Sequence, residues 1–412
     1  MKKLILSVTA LLLSVSMWAV DETLNPLITA MPSLTIAPDA RAAGLGDVGT
    51  ATTADQNSQY WNPSKMAYLE SRGGISANYT PWLRKLVGDI DLAHLEGFYK
   101  WDDIQGIAGS FTYFTMGSVS LTNSGGQEIA TAKPNEWALD VSYYRRLHDY
   151  VSMSVALRFM YSDLNNGINY SGSGYDQEYK AAWTMAADIG LFYQQPIEVP
   201  MGTSYFRLGF TLKNLGGKMT YNEVTRNFIP ASMNIGVGYE LPCDNYNKLT
   251  FNLEANRLMV PSRLSSFTTK ETASNPNLWT EDGKPIDSSN PETYRMSDQA
   301  YSELSSVKGI FWSFGDAPGG ASEEFKEVSW GAGIEYTYNR QFFARVGYRY
   351  ENFYKGNRNY FTVGAGFHLS IVRLDVSYCV ATAATNPLDQ TMRFSLGFDL
   401  AGIKDLVNNR RR

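Results

Sequence analysis

Residues 136–144 read EWALDVSYY. Trp137, Leu139, Val141 and Tyr143 alternate with Ala138, Asp140, Ser142 and Tyr144, so the two sets point to opposite faces of an extended chain. The same period of two recurs at 372–380, VRLDVSYCV, where Val372, Leu374, Val376 and Tyr378 oppose Arg373, Asp375, Ser377 and Cys379. At 392–400, MRFSLGFDL, Met392, Phe394, Leu396, Phe398 and Leu400 oppose Arg393, Ser395, Gly397 and Asp399. Fifteen such segments can be marked between 73 and 400, among them 104–113, 115–122, 231–241 and 391–400. A single-chain bacterial outer-membrane barrel has an even number of strands, so one of the fifteen is expected either to be no strand or to belong to a rim.

A soluble antiparallel sandwich alternates in the same way. Three features favour a transmembrane barrel instead. The segments are long and numerous. Aromatic residues crowd the segment ends, as in YFTMGS, YYRRL and FYKGNRNYF, where membrane girdles place them. Third, the polar face carries Arg158, Asp188, Glu254, Arg345, Arg373, Asp375 and Arg393, which suit a polar or plugged lumen and would be costly in a dry core. Short turns such as Asn339-Arg340 contrast with long polar stretches at 162–180 and 258–327, the asymmetry of periplasmic turns against outer loops. The fold class expected is therefore all-β, an antiparallel transmembrane β-barrel.

The chain starts MKKLILSVTALLLSVSMWA: Lys2 and Lys3, an apolar run, then the small residue Ala19, which reads as a secretory signal peptide cut near Ala19. No Cys stands at that point to take a lipid, and no later run of eighteen apolar residues predicts a helical span. Charged residues make up only 19% of the chain and the net charge is -5, which gives no general case for nucleic acid as a partner. Cys243 and Cys379 are too few for a metal cluster, and their pairing is left open.

Between the leader and the first strand lies ARAAGLGDVGTATTADQNSQYWNPS, residues 40–64, in which Gly44, Gly46 and Gly49 have the G-x-G-x-x-G spacing of a dinucleotide site. That chemistry needs a buried strand before the glycines and an amphipathic helix after them. Here TIAPDARAA precedes, with Pro38, Asp39 and Arg41, and a polar tract ending at Pro63 follows. The glycines are instead expected to permit tight turns and close backbone approach in a compact plug against the barrel wall, with Asn62-Pro63 turning the chain out. No cofactor is expected.

His94, His148 and His368 are scattered, with no pair at i,i+4, so zinc chemistry is unsupported. There is no G-x-S-x-G elbow and no P-loop, and although His148 and His368 have serine neighbours, nothing marks a wall-borne Ser–His pair. The chain is not expected to be an enzyme. The 258–327 stretch contains YRMSDQAYSELSSVKGIFWSFGD, which sets Tyr294, Tyr301, Ile310, Phe311, Trp312 and Phe314 among polar residues. As an outer loop, it either folds as a lid over its own barrel or docks another protein. Tyr294, Tyr301, Phe311, Trp312 and Phe314 are the expected partner contacts.

The leader, ARAAGLGDVGTAT, DQNSQYWNPSKMA and the C-terminal strands together resemble the PorV family (also described as LptO), outer-membrane barrels of the Bacteroidota type IX secretion system within the larger FadL-like group. The sharpest part runs from Asp39 to Pro63, with Ala40, Arg41, Gly44, Gly46, Gly49, Ala51, Asp55, Trp61, Asn62 and Pro63. The resemblance implies a fourteen-stranded barrel with an N-terminal segment folded at its periplasmic side or into its lumen. It also implies a non-enzymatic role: association with the SprA/Sov translocon barrel, binding of the C-terminal signal domains of cargo, and delivery to the PorU/PorZ attachment complex. The alternative is a FadL-type channel for hydrophobic small molecules, in contact with outer-membrane lipid. The expected organisation is a signal peptide at 1–19, a plug or hatch at 20–72, a barrel at 73–400 including the loop 258–327, and a short periplasmic tail at 401–412.

Overall fold

The computed structural model describes residues 25–400 apart from 123–125, 166–179, 223–225, 266–293, 296–297, 318–319 and 383–385. The expected leader and tail lie outside the described residues. Fourteen antiparallel strands close into a barrel. In chain order they are β1 Gly73–Pro81, β2 Asp91–Lys100, β3 Gln105–Thr115, β4 Asn135–His148, β5 Val151–Asp163, β6 Ala182–Val199 and β7 Gly202–Gly216. There follow β8 Ser232–Pro242, β9 Asn247–Leu258, β10 Val328–Tyr338, β11 Phe342–Tyr350, β12 Tyr360–Leu369, β13 Val372–Ala381 and β14 Met392–Asp399. Closure is made by β1 against β14, in register from Gly74↔Asp399 to Tyr79↔Phe394.

The alternation places side chains as its period requires. On β4, Leu139, Val141 and Tyr143 are exposed toward the lipid side, while Ala138, Asp140, Ser142 and Tyr144 are buried in the lumen. The fifteenth segment, 115–122, is the one outside the wall. Its Val119–Thr122 pairs with Glu128–Ala132 in a separate hairpin between β3 and β4. The periodicity was that of a strand; the hairpin simply stands beyond the wall.

Connections alternate between the ends. At one end they are short, as at 149–150, 200–201 and 339–341, where Asn339 and Arg340 both take positive φ, 50° and 54°, in a tight hairpin turn. At the other they are long, as at 116–134, 217–231 and 259–327. Short turns mark the periplasmic end and long loops the outer end. Aromatic pairs sit near both: Trp101 and Tyr143 stack at 6.1 Å, and Trp137 and Tyr161 at 5.3 Å.

Residues 25–72 fill the lumen from end to end. The Asn25 amide donates to the Tyr354 carbonyl and that of Ala30 to Phe228, both at the outer rim. The segment leaves at the opposite end, where the Lys100 amide donates to the Arg72 carbonyl and Ser71 to Asp399. Its regular structure is limited to single turns, Pro32–Thr35, Ala40–Ala43, Ser58–Trp61 and Pro63–Tyr68, which glycine and proline punctuation prevents from growing.

Candidate functional site

The glycine tract brings plug backbone directly against the wall. Asp39 caps the turn Ala40–Ala43 by accepting from the Ala42 amide at 2.8 Å, and its other oxygen accepts from the Trp61 indole at 2.5 Å. Gly44 ends that turn with its backbone against Gly364 of β12. Gly46 has φ +79°, and a Cβ there would stand 2.6 Å from the Tyr348 carbonyl oxygen. A Cβ on Gly49 would stand 2.0 Å from the Trp61 ring. The amides of Gly49 and Thr50 both donate to one oxygen of Glu254 on β9, each at 2.8 Å, and the Thr50 hydroxyl donates to the other at 2.9 Å. Paired amides of this kind bind anions. The anion here is the wall's own carboxylate.

Beside it runs a buried charge series. Arg41 reaches Asp55 at 2.7 Å and takes Glu335 of β10 in a two-pronged contact at 3.0 and 2.8 Å. Burial is the largest single influence and opposes ionisation of Asp55, but the charges of Arg41, Lys65 and Arg373 together with the Arg41 hydrogen bond outweigh it and hold the carboxyl at about 2. Lys65 donates to the Gly49 carbonyl at 2.6 Å. Asn62 donates to Leu191 of β6 at 3.0 Å while its own oxygen accepts from Ser64, and Pro63 opens the next turn. Thus Arg41, Gly44, Gly46, Gly49, Asp55, Trp61, Asn62 and Pro63 converge on one plug.

Sequence reasoning missed the wall's half of this contact. Gly209, Gly236, Gly333 and Gly347 sit on strands at positions facing the plug, and a Cβ on each would meet plug atoms at 2.2, 2.9, 2.4 and 2.1 Å. Glycine at alternate inward positions was the available mark.

The five outer-loop aromatics separate. Phe311, on the turn of helix Ser306–Trp312, is 73% exposed, and Phe314 is 44% exposed beneath the Arg257 guanidinium at 4.7 Å. Trp312 is half-buried with the Lys308 ammonium 4.1 Å over its ring. Tyr301 is buried against Phe228 at 5.0 Å, where that ring and Val260 give it an intramolecular apolar pocket. Tyr294 lies in the short strand Tyr294–Arg295, and its side chain is outside the described residues.

Among the described residues, a cavity lies at each end of the plug. The outer one, of about 140 Å³, is lined by Tyr60, Trp61, Lys213, Arg349, Glu351 and Arg358 among others. The periplasmic one, of about 400 Å³, is lined by Arg41, Arg207, Glu240, Glu335 and Arg373 among others. Charged groups border both. His94 is buried and contacts Thr112 at 2.8 Å, His148 adjoins a periplasmic turn, and His368 is half-buried on β12. Cys243 is exposed, Cys379 is buried, and neither is bonded to the other.

A family model described as type IX secretion system protein PorV matches residues 19–265. No curated protein matches the chain. Among solved structures, the Ralstonia pickettii toluene transporter TbuX is 12% identical with a TM-score of 0.48, covering 87% of this chain and 97% of that one. A deletion mutant of the TodX monoaromatic hydrocarbon channel is 9% identical with a TM-score of 0.49, covering 88% and 99%. A Pseudomonas aeruginosa FadL homologue is 11% identical with a TM-score of 0.40, covering 91% and 99%.

Proposed function

Because the chain belongs to the family of the type IX secretion system protein PorV, we propose that this non-enzymatic outer-membrane barrel holds secreted proteins at the cell surface and hands them on. In this reading it receives the C-terminal signal domains of cargo from a SprA/Sov-type translocon and passes them to the PorU/PorZ attachment complex. The observation that carries the reading is the plug. It occupies the lumen from outer to periplasmic rim, bonded to the wall by buried ion pairs, while Phe311 and Phe314 stand exposed on the outer loop. A lumen filled in this way supports work at the outer face, where exposed aromatics anchor protein partners. No energy source is required of the chain itself.

A second reading, a channel for hydrophobic small molecules, is favoured by one feature. Ala30, Met31, Leu34, Met160, Met219 and Ile229 form an apolar cluster inside the outer mouth. Affinity purification of the protein from native outer membranes, with identification of what accompanies it, separates the two. Recovery of a giant barrel, or of secreted proteins sharing a C-terminal domain, is the result expected. Recovery of lipid alone, together with uptake of hydrophobic solutes into vesicles bearing the purified protein, would favour the channel.

A further inference from the structure

Six buried or half-buried charges alternate in sign from plug to wall: Asp55, Arg41, Glu335, Arg345, Asp375 and Arg373. Each touches the next at 2.6–2.8 Å. The series ends at Arg373 on β13, whose Nε donates to Asp375 while its buried Nη2 has no hydrogen-bond partner. Arg207 on β7 lines the same periplasmic cavity and is only 2% exposed. Its Nε donates to Gln194 and its Nη2 to Glu240, and its Nη1 likewise lacks a partner.

Four of the five acids lining this cavity are engaged. Glu240 is shared between Arg207 and Lys248, Glu335 and Asp55 belong to the plug series, and Asp399 accepts from Ser71. Glu70 lies where the plug leaves the lumen, and Arg340 adds a further positive charge. Leaving a buried charged donor unmet is costly, and the planar guanidinium fork is matched best by a carboxylate.

We propose that this cavity is a binding site for a carboxylate-bearing ligand entering from the periplasm, held by Arg373 and Arg207. Arg373 and Arg345 share Asp375, so an acceptor on Arg373 leaves Asp375 to Arg345. Occupancy therefore tightens the series that holds Arg41 and the plug. The site is independent of what the outer face binds.

The test is calorimetric titration of the full-length protein in detergent with succinate, with a blocked Asp-Glu-Asp-Glu peptide, and with neutral succinamide. Saturable binding of a carboxylate ligand is expected, with no response to succinamide, and with a rise in the unfolding temperature on binding. Kd should rise at least about tenfold in Arg373→Gln and Arg207→Gln, and by less in Arg373→Lys, which keeps the charge and loses the fork. Arg84→Gln, at the outer rim, should bind as the parent does. Tighter binding of the peptide than of succinate identifies a polypeptide as the ligand's source; equal binding identifies a small organic acid. Heat-modified gel migration verifies that each variant is folded. The proposal is overturned if neither carboxylate binds, or if folded variants at both arginines bind unchanged.

Discussion

A Cβ placed on Gly347 of β11 would stand 2.1 Å from the amide nitrogen of Gly46, so wall backbone and plug backbone meet with no side chain between them. The contact is made twice over, since Gly46 also has a positive φ of 79° and its own Cβ would strike the Tyr348 backbone. Only glycine satisfies both demands.

Gly46→Val and Gly347→Val are therefore each expected to destabilise the plugged barrel by about 3 kcal/mol or more, from overpacking and, at Gly46, backbone strain. Thermal unfolding and membrane yield measure this. An unchanged melting profile with unchanged yield would show that the contact is not needed.

Arg41→Gln leaves Asp55 and Glu335 buried without their shared counter-charge and should cost about 3–5 kcal/mol. Adding Asp55→Asn should recover part of that loss, because Asp55 is the acid left with no ion-pair partner, whereas Glu335 keeps Arg345 at 2.6 Å. A double-mutant cycle on unfolding temperature reads the coupling.

Plug docking should weaken in acid. The folded Asp55 titrates near 2, below its ordinary 3.8. Its contribution of about 2 kcal/mol is complete above the ordinary value and is lost as pH falls through the folded one. Limited proteolysis of the plug between pH 5 and about pH 2 should show accelerating cleavage, and the Asp55→Asn variant should lose that dependence.

The outer loop should show the opposite sign. Burial pushes the Asp316 carboxyl up to about 8, above its ordinary 3.8. Its folded form retains a proton that the unfolded form releases, so loop packing is firmest near pH 4 and weakens as pH rises toward about 8. Asp316→Asn should flatten the rise in loop proteolysis across that range. A rise that persists in the variant would place its cause elsewhere.

Much of this was legible in the chain. The period of two at 136–144, 372–380 and 392–400 specified wall strands, since a one-residue slip would turn Asp140, Asp375 and Arg393 toward lipid. The segment 115–122 misled because a free-standing hairpin has the same local period as a wall strand. The glycine spacing at 44–49 showed that backbone approaches something closely. It could not show that the partner is Glu254 together with the glycines at 209, 236, 333 and 347, because that pairing depends on strand register far along the chain. The division among the loop aromatics was equally hidden: Tyr301 and Phe311 differ in burial through the position of Phe228, more than seventy residues upstream.

The most direct measure of a cargo-holding role is the affinity of a secreted protein's C-terminal signal domain for the detergent-purified barrel and for its Phe311→Ser/Phe314→Ser variant. Saturable binding to the parent is expected, weakened at least about tenfold in the variant with its unfolding temperature unchanged. Absence of binding to the parent, or equal binding by both, would contradict the account.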